Sequence, residues 1–185
     1  MQRRASDGRI GTPRAYHSPD RKTRKGVVSV RTLVGGRRKW GRLGMRVVFT
    51  NGVFDVLHRG HLDLLTKAKS WGDVLVVGVN TDASVRRLKG PGRPLNNQKD
   101  RAELVAALAV VDCVCFFGEA TPLKLIRSLQ PDVLVKGAEY PQSKIVGADM
   151  VTGWGGSVKR VRMRSGRSST LTIRSLRAAV DPVSD

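Results

Sequence analysis

The sequence predicts an α/β fold: a single Rossmann-like domain in which a parallel sheet of about five strands carries helices on both faces. From residue 45 onward, short apolar runs alternate with stretches of helical periodicity, which is the pattern of a parallel sheet wound with helices. The run VLVVGV at residues 74–79 is almost continuously apolar, as expected for a strand that helices cover on both sides. A chain of 185 residues is long enough to bury one sizeable core.

Apolar runs and turn signals identify the strands. The first strand stops at the turn pair Asn51-Gly52, and Cys113 and Cys115 alternate along the third strand, so that both point to the same face. Cysteines placed in this way are expected to be buried thiols and not a disulfide. The predicted strands are residues 47–50, 74–79, 111–117, 132–136 and 157–161.

Capping residues and helical periodicity identify the helices. Gly72 ends the first helix, and Thr81-Asp82 offers an N-cap for the second. In the third helix, Leu104, Val105 and Leu108 are expected to share the buried face. The predicted helices are residues 61–71, a short segment after residue 81, 100–108, 122–129, 145–154 and 169–179, with a short helix or turn at 32–43 and a loop at 89–97.

The net charge of +19 is concentrated near the amino terminus. Residues 1–44 hold 13 Lys and Arg against two Asp, a net charge of +11 in less than a quarter of the chain. We therefore expect residues 1–30 to form a basic, disordered arm ahead of a folded domain at 31–185, with its core at 45–177. A solvated tail is favoured over a nucleic-acid contact, because the arm lacks the aromatic interleaving that base stacking uses.

The sequence carries no membrane or export signal. No apolar run approaches the roughly 20 residues that a bilayer-spanning helix needs. The Arg3-Arg4 start has no apolar segment behind it, so neither a signal peptide nor a twin-arginine signal is expected. We therefore expect a cytoplasmic protein that does not bind membranes.

The segment FTNGVFDVLHRGH at residues 49–61 holds two of the three histidines in the chain. Gly52 allows the backbone to approach a ligand closely, and His61 opens a helix, where free N–H groups and the helix dipole favour an anion. His58 lies across the same turn, so both imidazoles can be aimed at one phosphate group. Zinc binding by the two histidines is disfavoured, because no cysteine or third histidine lies near and Asp55 alone is a poor complement.

Further anion-binding groups are predicted at the same edge of the sheet, because ligands of such folds bind beyond the carboxyl ends of the strands. Lys136 ends a strand, and the hydroxyls of residues 168–170 precede the last predicted helix. A cationic loop follows the second strand, with Arg86, Arg87, Lys89 and Arg93.

The pattern Gly52-x-Phe54-Asp55-x-x-His58-x-Gly60-His61 resembles the G-x-F-D-x-x-H-x-G-H signature of cytidylyltransferase-like nucleotidyltransferases. More narrowly, the chain is similar to the adenylyltransferase domain of bifunctional heptose-phosphate kinase/adenylyltransferases. The stretches VNTDASVRRLKGPGRPLN, PDVLVKGAEY and GRSSTLTI carry this narrower resemblance, which extends over residues 45–177. Relatives that adenylate pantetheine phosphate or nicotinamide mononucleotide typically have proline where this chain has Val56.

The resemblance implies transfer of AMP from ATP to a sugar 1-phosphate, with D-glycero-D-manno-heptose 1-phosphate as the expected acceptor and ADP-heptose and pyrophosphate as products. An alternative is a cytidylyltransferase that uses CTP and glycerol phosphate or another alditol phosphate. A third reading, a nucleic-acid-binding protein that has lost catalysis, is disfavoured by the intact histidine pair. The expected partners are ATP, the sugar 1-phosphate and a separate sugar kinase that supplies it. A homodimer is left open.

The resemblance also implies roles for individual residues. Asp55 has two readings, nucleotide contact or loop organisation. Mg²⁺ is expected with the nucleotide, without a metal site of the protein's own. Ala138 and Glu139 stand where glycine and aspartate are commoner, and Arg167 replaces a small or apolar residue. The residues expected to be catalytic are His58, His61 and Lys89; those expected to bind the nucleotide are Thr50, Asn51, Gly52, Val53, Phe54, Asp55, Gly60, Arg101, Lys136, Gly137, Glu139, Ser168, Ser169 and Thr170; those expected to bind the substrate phosphate are Arg87 and Arg93.

Overall fold

A computed structural model describes residues 26–162 of the chain. The first 25 residues of the expected arm lie outside this range, as do the predicted helix at 169–179 and the hydroxyl cluster Ser168, Ser169 and Thr170. Arg167 also lies outside it.

The described residues form one parallel sheet, which confirms the α/β, Rossmann-like fold. Six strands lie in the order β1-β4-β3-β2-β5-β6, so the chain winds outward in both directions from the centre. The strands are β1 Gly26–Val27, β2 Val47–Gly52, β3 Val74–Asn80, β4 Cys113–Phe117, β5 Val133–Gly137 and β6 Ser157–Val161.

Helices connect the strands. Thr81 and Asn97 cap the amino ends of the third and fourth helices by accepting a backbone N–H, and the Thr81 cap agrees with the sequence analysis. The helices are α1 Val30–Arg42, α2 Arg59–Lys69, α3 Asp82–Lys89, α4 Gln98–Ala107, α5 Leu123–Leu129 and α6 Ala148–Gly153, with a 3₁₀ turn at Gln142–Lys144.

Two apolar cores cover the two faces of the sheet. On one face, α1, α5 and α6 bury side chains such as Trp40, Ile126 and Val151 against the strands, and on the other, α2 and α4 bury Leu65 and Val105. This double cover explains the continuous apolar runs, since every residue of β3 is buried. Within the described residues, no helix has the length and apolar character to cross a bilayer.

Two carboxylates, one just before β4 and one just before β5, fix the amino ends of the strands. Asp112, which is fully buried, accepts hydrogen bonds from the backbone N–H of Leu75 and from Nζ of Lys69, both at 2.7 Å. Asp132 accepts from the backbone N–H of Val47 at 2.7 Å and from Arg37 at 3.0 Å. These contacts tie neighbouring strands together at the edge opposite the one where ligands are expected.

Three details differ from the sequence analysis. Residues 26–30, expected in the arm, form β1 and the start of α1, and β1 pairs with β4 as a sixth strand. Of the short helix or turn expected at 32–43, the helix is present, but it is longer than expected: α1 has 13 residues and begins at Val30, with Leu43 as its C-cap. In α4, Leu104 is 50% exposed, although it was expected on the buried face. Arg101 is buried beside Val105, because the face of α4 that packs on the sheet extends to the sheet edge where the ligand is expected.

The cysteine prediction is confirmed. Cys113 and Cys115 are both free and buried in the same core. Burial, with a smaller contribution from Cys113, raises the pKa of the Cys115 thiol to about 12. The thiol is therefore neutral and packs as a small apolar side chain.

Candidate active site

A cavity of about 590 Å³ opens at the carboxyl ends of β2, β3 and β5. This is the edge at which the sequence analysis expected the ligand, and the volume is that of a small-molecule site. Most of the predicted site residues in the described range line the cavity: Thr50, Asn51, Gly52, Val53, Phe54, Asp55, His58, His61, Lys89, Arg93, Lys136, Gly137 and Glu139.

The turn from β2 to α2 forms the centre of the cavity. Phe54 has a φ of 51°, in the left-handed region that side chains other than glycine rarely adopt, and is only 3% exposed. A Cβ at Gly52 would lie 3.1 Å from the Phe54 ring, so the absence of a side chain at Gly52 makes room for this packing. Backbone strain of this kind is concentrated at functional sites, where it holds a fixed geometry.

The two imidazoles are stacked on one another. The ring centroids of His58 and His61 are 3.9 Å apart with an interplanar angle of 24°, and the Phe54 ring lies 5.0 Å from that of His61. His58 is the N-cap residue of α2, so both rings stand at the positive end of the helix dipole.

Burial sets the charge of His61. Burial away from solvent, with a smaller contribution from repulsion by His58, lowers the pKa of His61 to about 4. The ring is therefore neutral near pH 7. Its Nδ1 is buried and has no hydrogen-bond partner among residues 26–162. A phosphate oxygen within reach of the ring would accept a hydrogen bond from it and would favour its protonation.

Asp55 organises the loop that faces the histidines. Its buried carboxylate accepts hydrogen bonds from the backbone N–H groups of Leu95 and Asn96, at 2.8 and 3.0 Å, and from Nε of Arg93 at 2.7 Å. Both carboxylate oxygens are therefore used inside the protein. The geometry supports the loop-organising reading of Asp55 over nucleotide contact.

Arg101 lies outside the lining of the cavity, although the sequence analysis grouped it with the nucleotide-binding residues. Its side chain is fully buried and its guanidinium donates only to protein groups. The reason is its position on the inward face of α4, where it meets the loops beneath the cavity.

Lys136 forms the wall of the cavity next to β2. Its Nζ donates to the backbone carbonyl of Asn51 at 3.3 Å and to the Asn51 side-chain oxygen. Burial lowers the pKa of Lys136 to about 8, and the nearby Glu139 partly opposes this shift. The Glu139 carboxylate lies over Gly137, where a Cβ would be 2.1 Å from one of its oxygens.

The remaining predicted residues divide between the cavity and its surroundings. Lys89 is exposed at the end of α3 and lines the cavity. Arg87 lies outside the lining and donates to the Gly118 carbonyl, and Gly60 is buried in the first turn of α2 without lining the cavity. Ser168, Ser169 and Thr170 are outside the described residues.

The sequence analysis missed several residues of the lining. Asn80 is the clearest, because it ends β3 at the ligand edge, and the same rule that selected Lys136 would have selected it. It is 4% exposed, and its amide nitrogen donates to the Ser84 hydroxyl at 3.0 Å. The other missed residues are mostly apolar and carry no local sequence signal: Leu64, Leu88, Phe117, Ala120, Pro122 and Tyr140.

Comparisons with known proteins show which family the chain is similar to. A family model described as cytidylyltransferase-like matches residues 49–174. Proteins named "Bifunctional protein HldE" are 53% identical over 138 residues in Paramagnetospirillum magneticum and 58% identical over 139 residues in Mesorhizobium japonicum, each match covering 75% of this chain and 28% of the relative. The chain thus spans little more than a quarter of the length of these relatives.

Two solved structures are also similar. A lipopolysaccharide core biosynthesis protein from Thermoplasma volcanium GSS1 is 32% identical with a TM-score of 0.54, and the match covers 65% of this chain and 98% of that one. A pantoate-beta-alanine ligase from Francisella tularensis is 16% identical with a TM-score of 0.56, covering 78% of this chain and 68% of the ligase. The second likeness concerns the fold alone.

Proposed function

The chain belongs to the cytidylyltransferase-like family, which makes it an enzyme of the nucleotidyltransferase class, and we propose that it transfers AMP from ATP to a sugar 1-phosphate. The proposed acceptor is D-glycero-D-manno-heptose 1-phosphate, and the products are ADP-heptose and pyrophosphate. The observation that carries the proposal is the stacked pair His58 and His61, which lies at a helix amino terminus in a cavity that Lys89, Arg93 and Lys136 also line.

The chemistry needs positioning more than a strong base. A phosphate oxygen of the sugar 1-phosphate, already anionic at neutral pH, forms a bond to the α-phosphorus of ATP. The bond from that phosphorus to the bridging oxygen of the β-phosphate breaks, and pyrophosphate leaves with the electron pair. Such a displacement is accelerated mainly by in-line alignment and by groups that stabilise the charge on the phosphorus centre.

In this scheme His58 and His61 donate hydrogen bonds to oxygens at the reacting phosphorus. Lys89, whose side chain is exposed, and Arg93, which forms an ion pair with Asp55, contact phosphate groups from the loop side. Lys136 does so from the β5 side, because its bonds to Asn51 leave one N–H for a ligand. These assignments rest on the family signature and on the lining of the cavity.

Magnesium fits this site as a companion of the nucleotide. Among residues 26–162 no group of three or more histidine, cysteine or acidic side chains is placed to hold a metal ion, and both oxygens of Asp55 are already bonded. When bound with the nucleotide, the ion would be held mainly by phosphate oxygens and water, and it would neutralise phosphate charge.

The test is pyrophosphate release by the purified chain. ATP and CTP are each paired with heptose 1-phosphate and with glycerol 3-phosphate, and release only with ATP and heptose 1-phosphate is expected. Dependence on CTP and an alditol phosphate would support the alternative reading, and no release with any pair would refute the proposal.

The same assay tests the histidine pair. His61→Ala should lower turnover by about 10²–10³, because a hydrogen-bond donor to the transition state is lost. His17→Ala is the matched control, since residue 17 precedes the family match at 49–174, and it should keep wild-type turnover. An unchanged His61→Ala enzyme would contradict the role of this residue.

Three further points stay proposals. A separate kinase supplies the sugar 1-phosphate, the protein acts in the cytoplasm, and its quaternary structure is either monomeric or a homodimer. Assays that couple a sugar kinase to this chain, and light scattering of the purified protein, would test the first and the last.

A further inference from the structure

Arg101 is a charged side chain with no solvent exposure, placed next to the cavity but not in its lining. Burial of a guanidinium costs free energy unless its charge and its N–H groups are satisfied. The structure shows how the protein satisfies it, and the choice of partners indicates what the residue does.

Four chain segments accept hydrogen bonds from this one side chain. Nε donates to the carbonyl of Asn96 at 3.0 Å, one terminal nitrogen donates to the carbonyl of Val53, and the other donates to the carbonyl of Asn80 at 2.8 Å and to the carboxylate of Asp82 at 2.7 Å. These acceptors belong to the β2–α2 turn, the end of β3, the start of α3 and the loop before α4.

Each of these segments carries or adjoins groups that face the cavity. The β2–α2 turn leads to the imidazole pair, α3 ends at Lys89, and the loop before α4 carries Arg93. We propose that Arg101 is a positioning residue, which holds the histidine turn and the cationic loop against the end of β3 so that they face the same substrate. That both elements face one substrate rests on the proposed function, whereas the positioning rests on the observed contacts.

Only arginine has the donors for this role. Its planar guanidinium carries five N–H groups in a rigid fork, four of which are used here, whereas lysine offers three donors around one nitrogen. A lysine at position 101 would keep the charge next to Asp82 but leave some of the three carbonyls unsatisfied. Arg101→Lys therefore keeps the positive charge but removes contacts that align the loops.

A second buried ion pair provides the matched control. Lys69 and the fully buried Asp112 are 2.7 Å apart at the amino edge of the sheet, about 20 Å from the cavity edge along a seven-residue strand. Loss of that pair removes a buried contact of similar kind without touching the loops of the cavity. Lys69→Met should destabilise the protein and leave turnover at the wild-type level.

The first experiment compares turnover among Arg101→Lys, Arg101→Met and Lys69→Met, each checked for folding by circular dichroism. Misplacement of reacting groups by about 1 Å can cost about 100-fold in rate, so a fall of this order in kcat is expected for both Arg101 variants. Addition of ethylguanidinium to Arg101→Ala should restore part of the lost rate. Arg101 variants that are destabilised but keep kcat within twofold of wild type would overturn the proposal.

The second experiment does not depend on turnover. NMR titration of the imidazoles should show the pKa of His61 rising from about 4 toward 6.5 in Arg101→Lys, since a loosened turn admits water, and staying unchanged in Lys69→Met. If Arg101→Met does not fold, Arg101→Lys decides. A wild-type enzyme without pyrophosphate release would refute the proposed function, whereas an unmoved His61 pKa in Arg101→Lys would refute the positioning role.

Discussion

The loop around Asp55 and the imidazole pair lie next to one another, but they differ in how their polar groups are hydrogen-bonded. In the loop framework, defined as Asp55, Arg93, Asn96 and Arg101, the charged and amide groups bond to other protein groups. In the imidazole pair, burial and mutual repulsion keep His61 neutral, and its Nδ1 has no partner within residues 26–162. The framework thus supplies rigidity, and His61 keeps hydrogen-bonding capacity for a ligand.

This difference predicts two kinds of mutational effect. Changes in the framework should lower the free energy of unfolding first and activity as a consequence. Changes at His61 should lower turnover while stability at neutral pH changes little, because its Nδ1 has no hydrogen-bond partner within residues 26–162 to lose. Arg101 is the expected exception, because it bonds to the histidine turn. An Asp55 variant that mixes the two effects would show that the two regions are not separable.

The largest effect is expected from Asp55→Ala. The substitution leaves Arg93, whose side chain is 12% exposed, without its carboxylate and leaves the backbone N–H groups of Leu95 and Asn96 unbonded. Removal of one partner of a buried ion pair costs about 3–5 kcal/mol, and a loss of this size in urea unfolding is expected.

Lys124→Ala is the control for the Asp55 experiment. Lys124 is 82% exposed and forms a 3.6 Å ion pair with Glu119, a contact typically worth less than about 1 kcal/mol. If Asp55→Ala costs no more than this control, the framework does not hold the loop in the way proposed.

The second effect is acid destabilisation through His61. The pKa of His61 is about 4 in the folded protein against 6.5 in the unfolded chain, so the unfolded chain binds more protons between these values. The free energy of unfolding should therefore fall as pH drops from about 6.5 to 4, by about 3 kcal/mol from this residue alone. His61→Gln should flatten that part of the stability curve, as measured by urea unfolding at several pH values.

A parallel titration of Asp55→Ala sharpens the comparison. Asp55→Ala loosens the loop at residues 93–96 but leaves the Arg101 bond to the histidine turn in place, so it should keep the acid-dependent loss between pH 6.5 and 4, shifted to lower stability at every pH. A flat profile in Asp55→Ala would mean that the contacts of Asp55, as well as those of Arg101, keep water away from His61.

How far the sequence predicts the molecule also differs between these regions. The histidine signature and the apolar runs are local, so five of the six strands were predicted, and the two imidazoles lie at the sheet edge where the sequence analysis expected them. The role of Arg101 depends on contacts up to 48 residues away, and no local pattern marks a guanidinium as buried. For the same reason β1, a two-residue strand that exists only by pairing with β4, was assigned to the arm.

The smallest expected effect lies in the β5 wall, which belongs to neither region. Gly137→Ala would place a Cβ within 2.1–2.5 Å of the Glu139 carboxylate, but that carboxylate ends an exposed, flexible side chain that can swing aside. Although Gly137 is buried, only the Glu139 side chain has to move, so the free energy of unfolding should change by less than about 1 kcal/mol. KM for the nucleotide should rise about two- to tenfold, the value of a single hydrogen bond, if Glu139 contacts it.

Glu139→Ala should raise KM by the same factor, and Gly137→Ala added to Glu139→Ala should raise it no further. A double variant with additive losses would show that Gly137 meets the nucleotide directly and not through Glu139.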